Sequence, residues 1–142
     1  MANFVSQRAF TIEWGLCDPA GIVFNSRYFE LFDEGTWVLF ETVLAVPRTK
    51  LFATFNIMGI PLVDARARFL VPVKFGDAVV MTSEVAEFRR SSFDAQHRLL
   101  KAGQLAVDCL ETRVWTFRDA DGRMKGVPIP EEIRAKFVQR NL

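Results

Sequence analysis

The chain has 142 residues, 50% of them hydrophobic, and a formal net charge of +1 at pH 7, so its length suits one domain with its own core. A charge this close to zero provides no field suited to nucleic acid or to a membrane surface. No apolar run approaches the roughly 18 residues that a membrane span needs, so we expect a single domain over residues 1–142 with neither kind of partner.

The start of the chain and its cysteines indicate a cytoplasmic protein. Residues 1–8 contain a single Arg and no long apolar core, so they do not predict a secretory signal. Without export, Cys17 and Cys109 are expected to be reduced thiols. We interpret Cys17 as a structural residue, because small buried thiols are common in such loops.

A strand and a tight loop are the first predicted elements. Three apolar residues alternate with their neighbours and predict a strand with one buried face: Phe10, Ile12 and Trp14. In the next loop, Pro19 disfavours helical backbone at Asp18, and Gly21 permits a sharp turn. The loop therefore presents one carboxylate, Asp18, just ahead of the following element.

A long helix is predicted next. Apolar residues at helical spacing run over Tyr28–Leu44, and Pro47 forces an end. The helix is predicted to start near Asn25 or Ser26, both of which are good N-cap residue types. Gly35 inside the helix predicts close packing against a neighbouring element.

The second half of the chain is predicted to be mostly strand. Residues 48–56 are predicted as a short helix or irregular turn, and Pro130–Arg140 as a short helix with Pro in its first turn. Turn signals at Gly103 and at Asp121-Gly122 indicate antiparallel neighbours. The four predicted strands are Ile60–Leu70, Ala78–Arg89, Ser92–Lys101 and Leu105–Arg118.

This order of elements predicts an α+β fold, with a five-stranded antiparallel sheet around one long helix. The helix can cover only one face of the sheet, whereas the run Val79–Met81 is apolar on both faces. Because no second helix is long enough, a second copy of the chain is the expected cover for the other face.

The loop carboxylate and the helix start together suggest acyl chemistry. Free N–H groups near Asn25 can hold a carbonyl oxygen as it gains negative charge, while Asp18 attacks the carbon or activates a water. The alternative is that Asp18 is a turn residue that caps the loop locally. On spacing alone, the turn is the commoner use of an Asp-Pro pair.

Four segments carry a family resemblance: Cys17–Val23, Gly59–Val63, Glu87–Phe93 and Arg113–Trp115. Together they resemble the hot-dog fold acyl-CoA thioesterases, most closely those of the 4-hydroxybenzoyl-CoA type, over essentially the whole chain. The resemblance implies hydrolysis of 4-hydroxybenzoyl-CoA or a similar aryl-CoA. It also implies a homodimer at least, usually a homotetramer, with the site shared across the dimer interface. No metal and no cofactor are implied, since CoA is part of the substrate.

The resemblance also assigns catalytic roles. The family's loop aspartate is a nucleophile or general base and matches Asp18, and the backbone N–H that holds the thioester oxygen falls at Asn25. In the family, position 25 is Tyr in the 4-hydroxybenzoyl type and His in many short-chain thioesterases. The absence of His at this position favours the aryl branch.

Further residues are assigned to binding by the same resemblance. The family's Arg-Arg-x-Ser segment binds the phosphates of CoA and corresponds to Arg89, Arg90 and Ser92. Asp33 matches an acid near the acyl ring, and Ile60 stands where the family has a Thr beside the ring. We expect both to contact the acyl group.

Two polar residues of the predicted strands, His97 and Glu111, are not assigned to the site. His97, the only histidine, lies in a polar stretch and is interpreted as a surface residue, which leaves no Ser-His or Cys-His mechanism. Glu111 is expected to pair with Arg113 or another polar group and is given no role.

Two other functions stay open: a thioesterase for short or medium aliphatic acyl-CoA, and a non-catalytic subunit that binds CoA esters.

Overall fold

One long helix lies across one face of a five-stranded antiparallel sheet in the computed structural model, which describes residues 2–138. This confirms the predicted α+β architecture. No helix among the described residues is long and apolar enough to cross a membrane. The elements are, in order, β1 (Ser6–Thr11), α1 (Asn25–Leu44), α2 (Arg48–Phe55), β2 (Leu62–Phe69), β3 (Ala78–Phe88), β4 (Ser92–Lys101), β5 (Gln104–Val114), β6 (Thr116–Arg118), β7 (Met124–Gly126) and α3 (Glu131–Lys136).

The sheet has the order β1-β3-β4-β5-β2, so β1 and β2 are its edges. Tight turns make β3, β4 and β5 consecutive neighbours, and Gly103 has the positive φ of 75° that the β4–β5 turn requires. The predicted turn at Asp121-Gly122 connects β6 to β7, a separate two-stranded ribbon. Both turn predictions are therefore confirmed.

Along the central strands β3 and β4, every second residue is buried, and these residues contribute to the core between the sheet and α1. On β3, Val79, Met81 and Val85 face the helix, while Val80 is half-buried on the opposite face among polar neighbours such as Thr82 and Glu84. The apolar run over Val79–Met81 therefore does not extend into an apolar outer face. Four of the nine large exposed apolar side chains of the described residues lie along the β2 edge, namely Leu62, Val63, Phe69 and Leu70.

Three predicted strands were too long, and the one predicted over Ile60–Leu70 spans only Leu62–Phe69. The first ends at Thr11, and Trp14 lies in a short 3-10 turn, 57% exposed, with its ring edge-on to Phe75. The last long strand breaks at Trp115, whose N–H donates to the carbonyl of Ser91 rather than continuing the β5 ladder. In the tail, α3 ends at Lys136, and residues 139–142 lie outside the described part of the chain.

The close packing predicted at Gly35 is confirmed. A Cβ atom at this position would lie 2.8 Å from Sδ of Met81, 2.9 Å from Oγ of Ser83 and 3.1 Å from Nδ1 of His97. These distances are shorter than ordinary van der Waals contacts, so α1 approaches the middle of the sheet more closely than any larger residue would allow. The helix passes at this point over polar side chains of β3 and β4.

Candidate active site

The loop that carries Asp18 is closed by hydrogen bonds onto itself. The Asp18 N–H donates to the carbonyl of Ile22, and the Gly21 N–H donates to the carbonyl of Asp18, each at 2.9 Å. One carboxylate oxygen of Asp18 accepts the Ala20 N–H at 2.8 Å, and Gly21 takes a φ of 79°. The local turn interpretation is therefore correct as far as it goes, and it leaves the other carboxylate oxygen of Asp18 available.

The same loop leads directly into α1. The Phe24 N–H donates to the carbonyl of Leu16 at 2.9 Å, which sets the helix start beside the Asp18 turn. The N-cap is Phe24, which has no side-chain oxygen, so α1 begins at Asn25 without a side-chain cap. Within residues 2–138, no acceptor is found for the N–H groups of Asn25 and Ser26. The positive end of a 20-residue helix is therefore left open to a ligand.

A cleft lies at this helix start. It has a volume of about 160 Å³ and is lined by Ile22, Val23, Asn25, Tyr28 and residues 69–72, where the edge strand β2 ends. The ring of Tyr28 lies 5.2 Å from that of Phe69, so the apolar wall of the cleft continues onto the edge strand. The uncapped start of α1 at Asn25 thus borders a mostly apolar cleft at the end of β2.

Asp33 lies further along the same side of α1. Asn25, Phe29 and Asp33 follow one another at intervals of four residues, so they share a stripe that covers about 12 Å of helix length. Opposite this stripe, Ala65 and Ala67 of β2 lie on the face of the sheet that the helix covers, paired with Glu111 and Cys109. Both of these side chains are small.

Asp33 is bound to a buried arginine of β5. Nη2 of Arg113 lies 2.7 Å from Oδ1 of Asp33, and Nη1 donates to the carbonyl of Ile60 at 3.1 Å. The Arg113 side chain is 5% exposed, whereas that of Asp33 is 52% exposed. Arg113 therefore joins the two residues expected to contact the acyl group. The side chain of Ile60 lies in the core, 3% exposed.

The interpretation of His97 as a surface residue was wrong. His97 is 0% exposed, with Nδ1 2.7 Å from Oγ of Ser83 and Nε2 2.9 Å from Oε1 of Glu111. Glu111 is 1% exposed and also accepts from the Thr36 hydroxyl at 2.7 Å and from Arg113 at 3.2 and 3.3 Å. The expected pairing of Glu111 with Arg113 is confirmed, and it belongs to a buried network of helix and sheet.

A signal for this network was present in the sequence. His97 has the same parity as Phe93, Ala95 and Leu99, and Glu111 the same parity as Cys109, so each continues a buried face of its strand. The polar neighbours of His97 in sequence, Gln96 and Arg98, point to the other face. Strand parity therefore predicts that His97 is buried, whereas the polarity of its two neighbours describes only the opposite face of β4.

Burial and hydrogen bonding act in opposite directions on the Glu111 carboxyl group. Desolvation raises its pKa, but hydrogen bonds and charge from His97 and Arg113 outweigh burial and hold the pKa at about 2. At Cys109, burial and the nearby Glu111 charge raise the thiol pKa to about 12. Glu111 is therefore ionised at neutral pH, and the Cys109 thiol stays protonated and is a poor nucleophile.

The arginine turn predicted to hold CoA connects β3 to β4. The Arg89 side chain, 40% exposed, bonds to both oxygens of Asp94, to Glu87 and to the hydroxyl of Ser92. The exposed Arg90 has no ion-pair partner among residues 2–138. Arg89 and Ser92 are thus held in a defined geometry, and Arg90 is the cation with free hydrogen-bond donors.

The predicted site residues fall at two ends of the sheet. The Asp18 loop packs beside residues 73–77, where β3 starts, while the arginine turn follows the end of β3. Since β3 has 11 residues, the two ends are roughly 33 Å apart. A single chain brings Asp18 together with Asn25, and Asp33 together with Ile60, but it does not bring Arg89 and Arg90 to Asp18.

Metal-binding side chains do not gather at this site within residues 2–138. Among them, no group of three or more His, Cys, Asp or Glu side chains is placed to hold a metal ion. The only histidine bonds to Ser83, Thr36 and Glu111, so its ring nitrogens are already engaged.

Comparisons with known proteins identify the family and the fold. The family model of the thioesterase-like superfamily matches residues 12–137. The 4-hydroxybenzoyl-CoA thioesterase of Pseudomonas sp. (strain CBS-3) is 28% identical over 126 residues, covering 85% of this chain and 89% of that protein. Its solved structure covers 95% of this chain and 99% of its own at 25% identity, with a TM-score of 0.85. A solved gentisyl-coenzyme A thioesterase has 31% identity, coverages of 91% and 99%, and a TM-score of 0.77. The hot-dog fold is thereby confirmed.

The buried Glu111 carboxylate predicts a particular acid sensitivity. Because its folded pKa of about 2 lies below the ordinary 4.5, its ionised form stabilises the fold above pH 4.5 and this contribution is lost as the pH falls toward 2. Glu111→Gln cannot titrate, so its deficit in unfolding free energy relative to wild type should shrink by about 1 kcal/mol per pH unit below 4.5. Urea unfolding at pH 4.5 and one unit lower measures this change.

The matched control is Glu84→Gln on the outer face of β3, outside the network. This control removes one carboxyl group without touching the network, so it measures the effect of an ordinary Glu-to-Gln change on the same strand assembly. A deficit for Glu111→Gln that stays constant with pH would contradict the assignment.

Proposed function

Because the chain belongs to the thioesterase-like superfamily, we propose that it hydrolyses an aryl-CoA thioester, 4-hydroxybenzoyl-CoA or a close analogue, to CoA and a free carboxylate. Its relatives support the aryl class, since two of them are named for aromatic acyl-CoA substrates. The apolar cleft at the helix start and the small residues Ala65 and Ala67 support it further, because an aromatic ring needs a flat apolar space.

One observation carries the proposal: a carboxylate held beside an uncapped helix start. The turn bonds of Asp18 fix its backbone, and the Phe24-to-Leu16 hydrogen bond fixes α1 against the same loop. The N–H groups of Asn25 and Ser26 then point toward the space in front of α1. A turn residue alone would not require the first N–H groups of a long helix to be left open.

The proposed reaction uses these groups as follows. The thioester carbonyl oxygen accepts a hydrogen bond from the Asn25 N–H, which stabilises negative charge as the carbonyl carbon is attacked. Asp18 either attacks that carbon itself, giving a mixed anhydride that water hydrolyses, or removes a proton from an attacking water. In both routes the C–S bond breaks, the sulfur of CoA takes up a proton, and water supplies the new carboxylate oxygen.

The phosphates of CoA are proposed to bind at the arginine turn. A guanidinium group suits phosphate oxygens, and Arg90 is the turn residue with free donors, while Arg89 is held by Asp94 and orders the turn. Because this turn lies roughly 33 Å from the Asp18 loop of the same chain, the turn that serves a given Asp18 is proposed to come from a second copy.

The β2 edge is the proposed contact between copies. A strand edge with unpaired backbone groups and four exposed large apolar residues, Leu62, Val63, Phe69 and Leu70, favours pairing with another strand. A two-fold axis reverses strand direction, so the arginine end of one copy comes to the Asp18 end of the other. Pairing about Ala65 would also set Asp64 opposite the partner's Arg66.

The first test concerns Asp18. Asp18→Asn keeps an oxygen that can accept the Ala20 N–H, so the loop should retain its shape, but the amide is neither a nucleophile nor a base. We expect turnover of 4-hydroxybenzoyl-CoA to fall at least about a hundredfold, while binding of the ester persists. The measurement is thiol release beside calorimetric binding, with Asp121→Asn, in an exposed turn, as the control. Turnover close to wild type would show that Asp18 is not catalytic.

The second test concerns Arg90. Arg90→Ala should raise KM for the CoA ester by roughly fivefold and change kcat little, because a contact remote from the reacting carbon affects binding equally before and during the reaction. The effect should vanish with the matching N-acetylcysteamine thioester, which lacks the phosphates. An equal rise in KM for both esters would indicate a structural effect rather than phosphate binding.

The third test concerns the β2 edge. Val63→Lys places a charge on the most exposed apolar residue of the edge, and we expect dimers to dissociate and turnover to fall together. Thr11→Lys, on the opposite edge strand β1, is the matched control and should keep both. Sedimentation velocity and thiol release give the two readouts. A wild-type chain that is monomeric and fully active would contradict the shared site.

A further inference from the structure

We propose that Arg113 is a positioning residue that sets the acyl specificity of this enzyme: it holds Asp33 as a fixed hydrogen-bond acceptor that selects a ring bearing a hydroxyl group. This inference rests on the proposed function, because it concerns the acyl end of the same site. It adds a residue from β5 that does not itself have to touch the substrate.

The first step is the arrangement of the Asp33 carboxylate. Its Oδ1 is bound to Nη2 of Arg113 at 2.7 Å, and no described residue between 2 and 138 donates to its Oδ2. The Asp33 side chain is half exposed, so Oδ2 is open to a ligand. An ionised carboxylate only accepts hydrogen bonds, and a phenolic hydroxyl donates one. A free Asp33 would rotate, whereas the ion pair with Arg113 restricts it to one orientation.

The second step is that Arg113 is itself immobile. Its side chain is 5% exposed, and four of its N–H bonds are accounted for by Glu111, Ile60 and Asp33. Glu111 in turn is held by the Thr36 hydroxyl of α1 and by His97 of β4. The guanidinium group therefore cannot swing away from Asp33 without breaking a buried network that includes both the helix and the sheet.

The third step is why the network ends at this point. Among residues 2–138, Arg113 is the one charged side chain of the buried network that reaches Asp33, and Asp33 is the one half-exposed carboxylate bonded to Arg113. Glu111 alone would neutralise Arg113. The additional acidic partner at the surface end is not needed for charge balance, so its place beside the open side of α1 points to recognition.

The experiment compares 4-hydroxybenzoyl-CoA with benzoyl-CoA, which differ only in the ring hydroxyl. Binding of both is measured by calorimetry in the Asp18→Asn background, and the preference is the ratio of the two dissociation constants. The variants are Asp33→Asn, Arg113→Lys and the two together. Arg113→Lys keeps a cation for Glu111 but loses the planar fork that bonds to Asp33 and Ile60.

The preference for the hydroxylated ester should depend on Asp33 and Arg113 acting together. The preference for the hydroxylated ester should fall at least about tenfold in Asp33→Asn and in Arg113→Lys, and no further when the two are combined, because Arg113 acts through Asp33. With Asp18 intact, KM for 4-hydroxybenzoyl-CoA should rise in the same variants while KM for benzoyl-CoA stays unchanged. Arg98→Lys, exposed on the other face of β4, should change neither value.

A second variant guards against misfolding. Glu111→Gln combined with Arg113→Met removes both buried charges together, so no unpaired charge is left in the core, and it should lose the preference to the same extent. Circular dichroism and thermal unfolding verify that each variant is folded.

Three outcomes would overturn the inference: equal binding of the two esters by the parent, an unchanged preference in both Arg113 variants, or losses that add when Asp33 and Arg113 are changed together. The proposed function is tested separately by thiol release from the wild type. A wild type that prefers the hydroxylated ester in binding but releases no thiol would refute hydrolysis and leave the role of Arg113 standing.

Discussion

The carboxylate of Glu111 is the interaction on which the arrangement of this molecule depends. It lies between the central helix and the sheet and accepts hydrogen bonds from Thr36 of α1, His97 of β4 and Arg113 of β5. A charge buried at 1% exposure would be unfavourable without these partners. Their geometry therefore fixes where the helix crosses the sheet. The helix start at Asn25, and so the place of the free N–H groups beside Asp18, follows from that crossing.

This network also explains why two features of the sequence occur together. Gly35 permits α1 to approach Ser83 and His97, and one residue later Thr36 reaches the Glu111 carboxylate. A larger residue at position 35 would displace the helix and separate these polar groups, leaving them unsatisfied in the core. The aromatic residues of the core then fill the space on both sides of the network, with Phe32 stacked on the ring of His97.

The sequence predicted those features of the fold that depend on local patterns. Period two and helical spacing were sufficient for the sheet, for α1 and for the turn at Gly103, and the Asp18 loop was found because Asp-Pro and Gly21 define a turn by themselves. The same period-two pattern indicates that His97 and Glu111 are buried, but it does not indicate that they meet. His97 and Glu111 are 14 residues apart and meet only through the register of β4 with β5.

The distribution of the site residues was also beyond sequence patterns. The resemblance implied that Asp18 and the Arg89–Arg90 turn belong to one site shared across a dimer interface. The strand order adds that, within one chain, they lie apart by the length of β3. The proposed two-fold pairing at β2 resolves that separation, because it brings opposite ends of two sheets together. The same reversal accounts for the apolar side chains along an otherwise exposed edge.

The most direct test of the account is thiol release by the wild-type protein from a panel of aryl-CoA and alkyl-CoA esters. The account predicts turnover of aryl esters, with 4-hydroxybenzoyl-CoA or a close analogue preferred over aliphatic esters of similar size. Preference for an aliphatic ester would contradict the proposed substrate while keeping the carboxylate and helix-start chemistry. Release of no thiol from any ester would contradict the catalytic account as a whole.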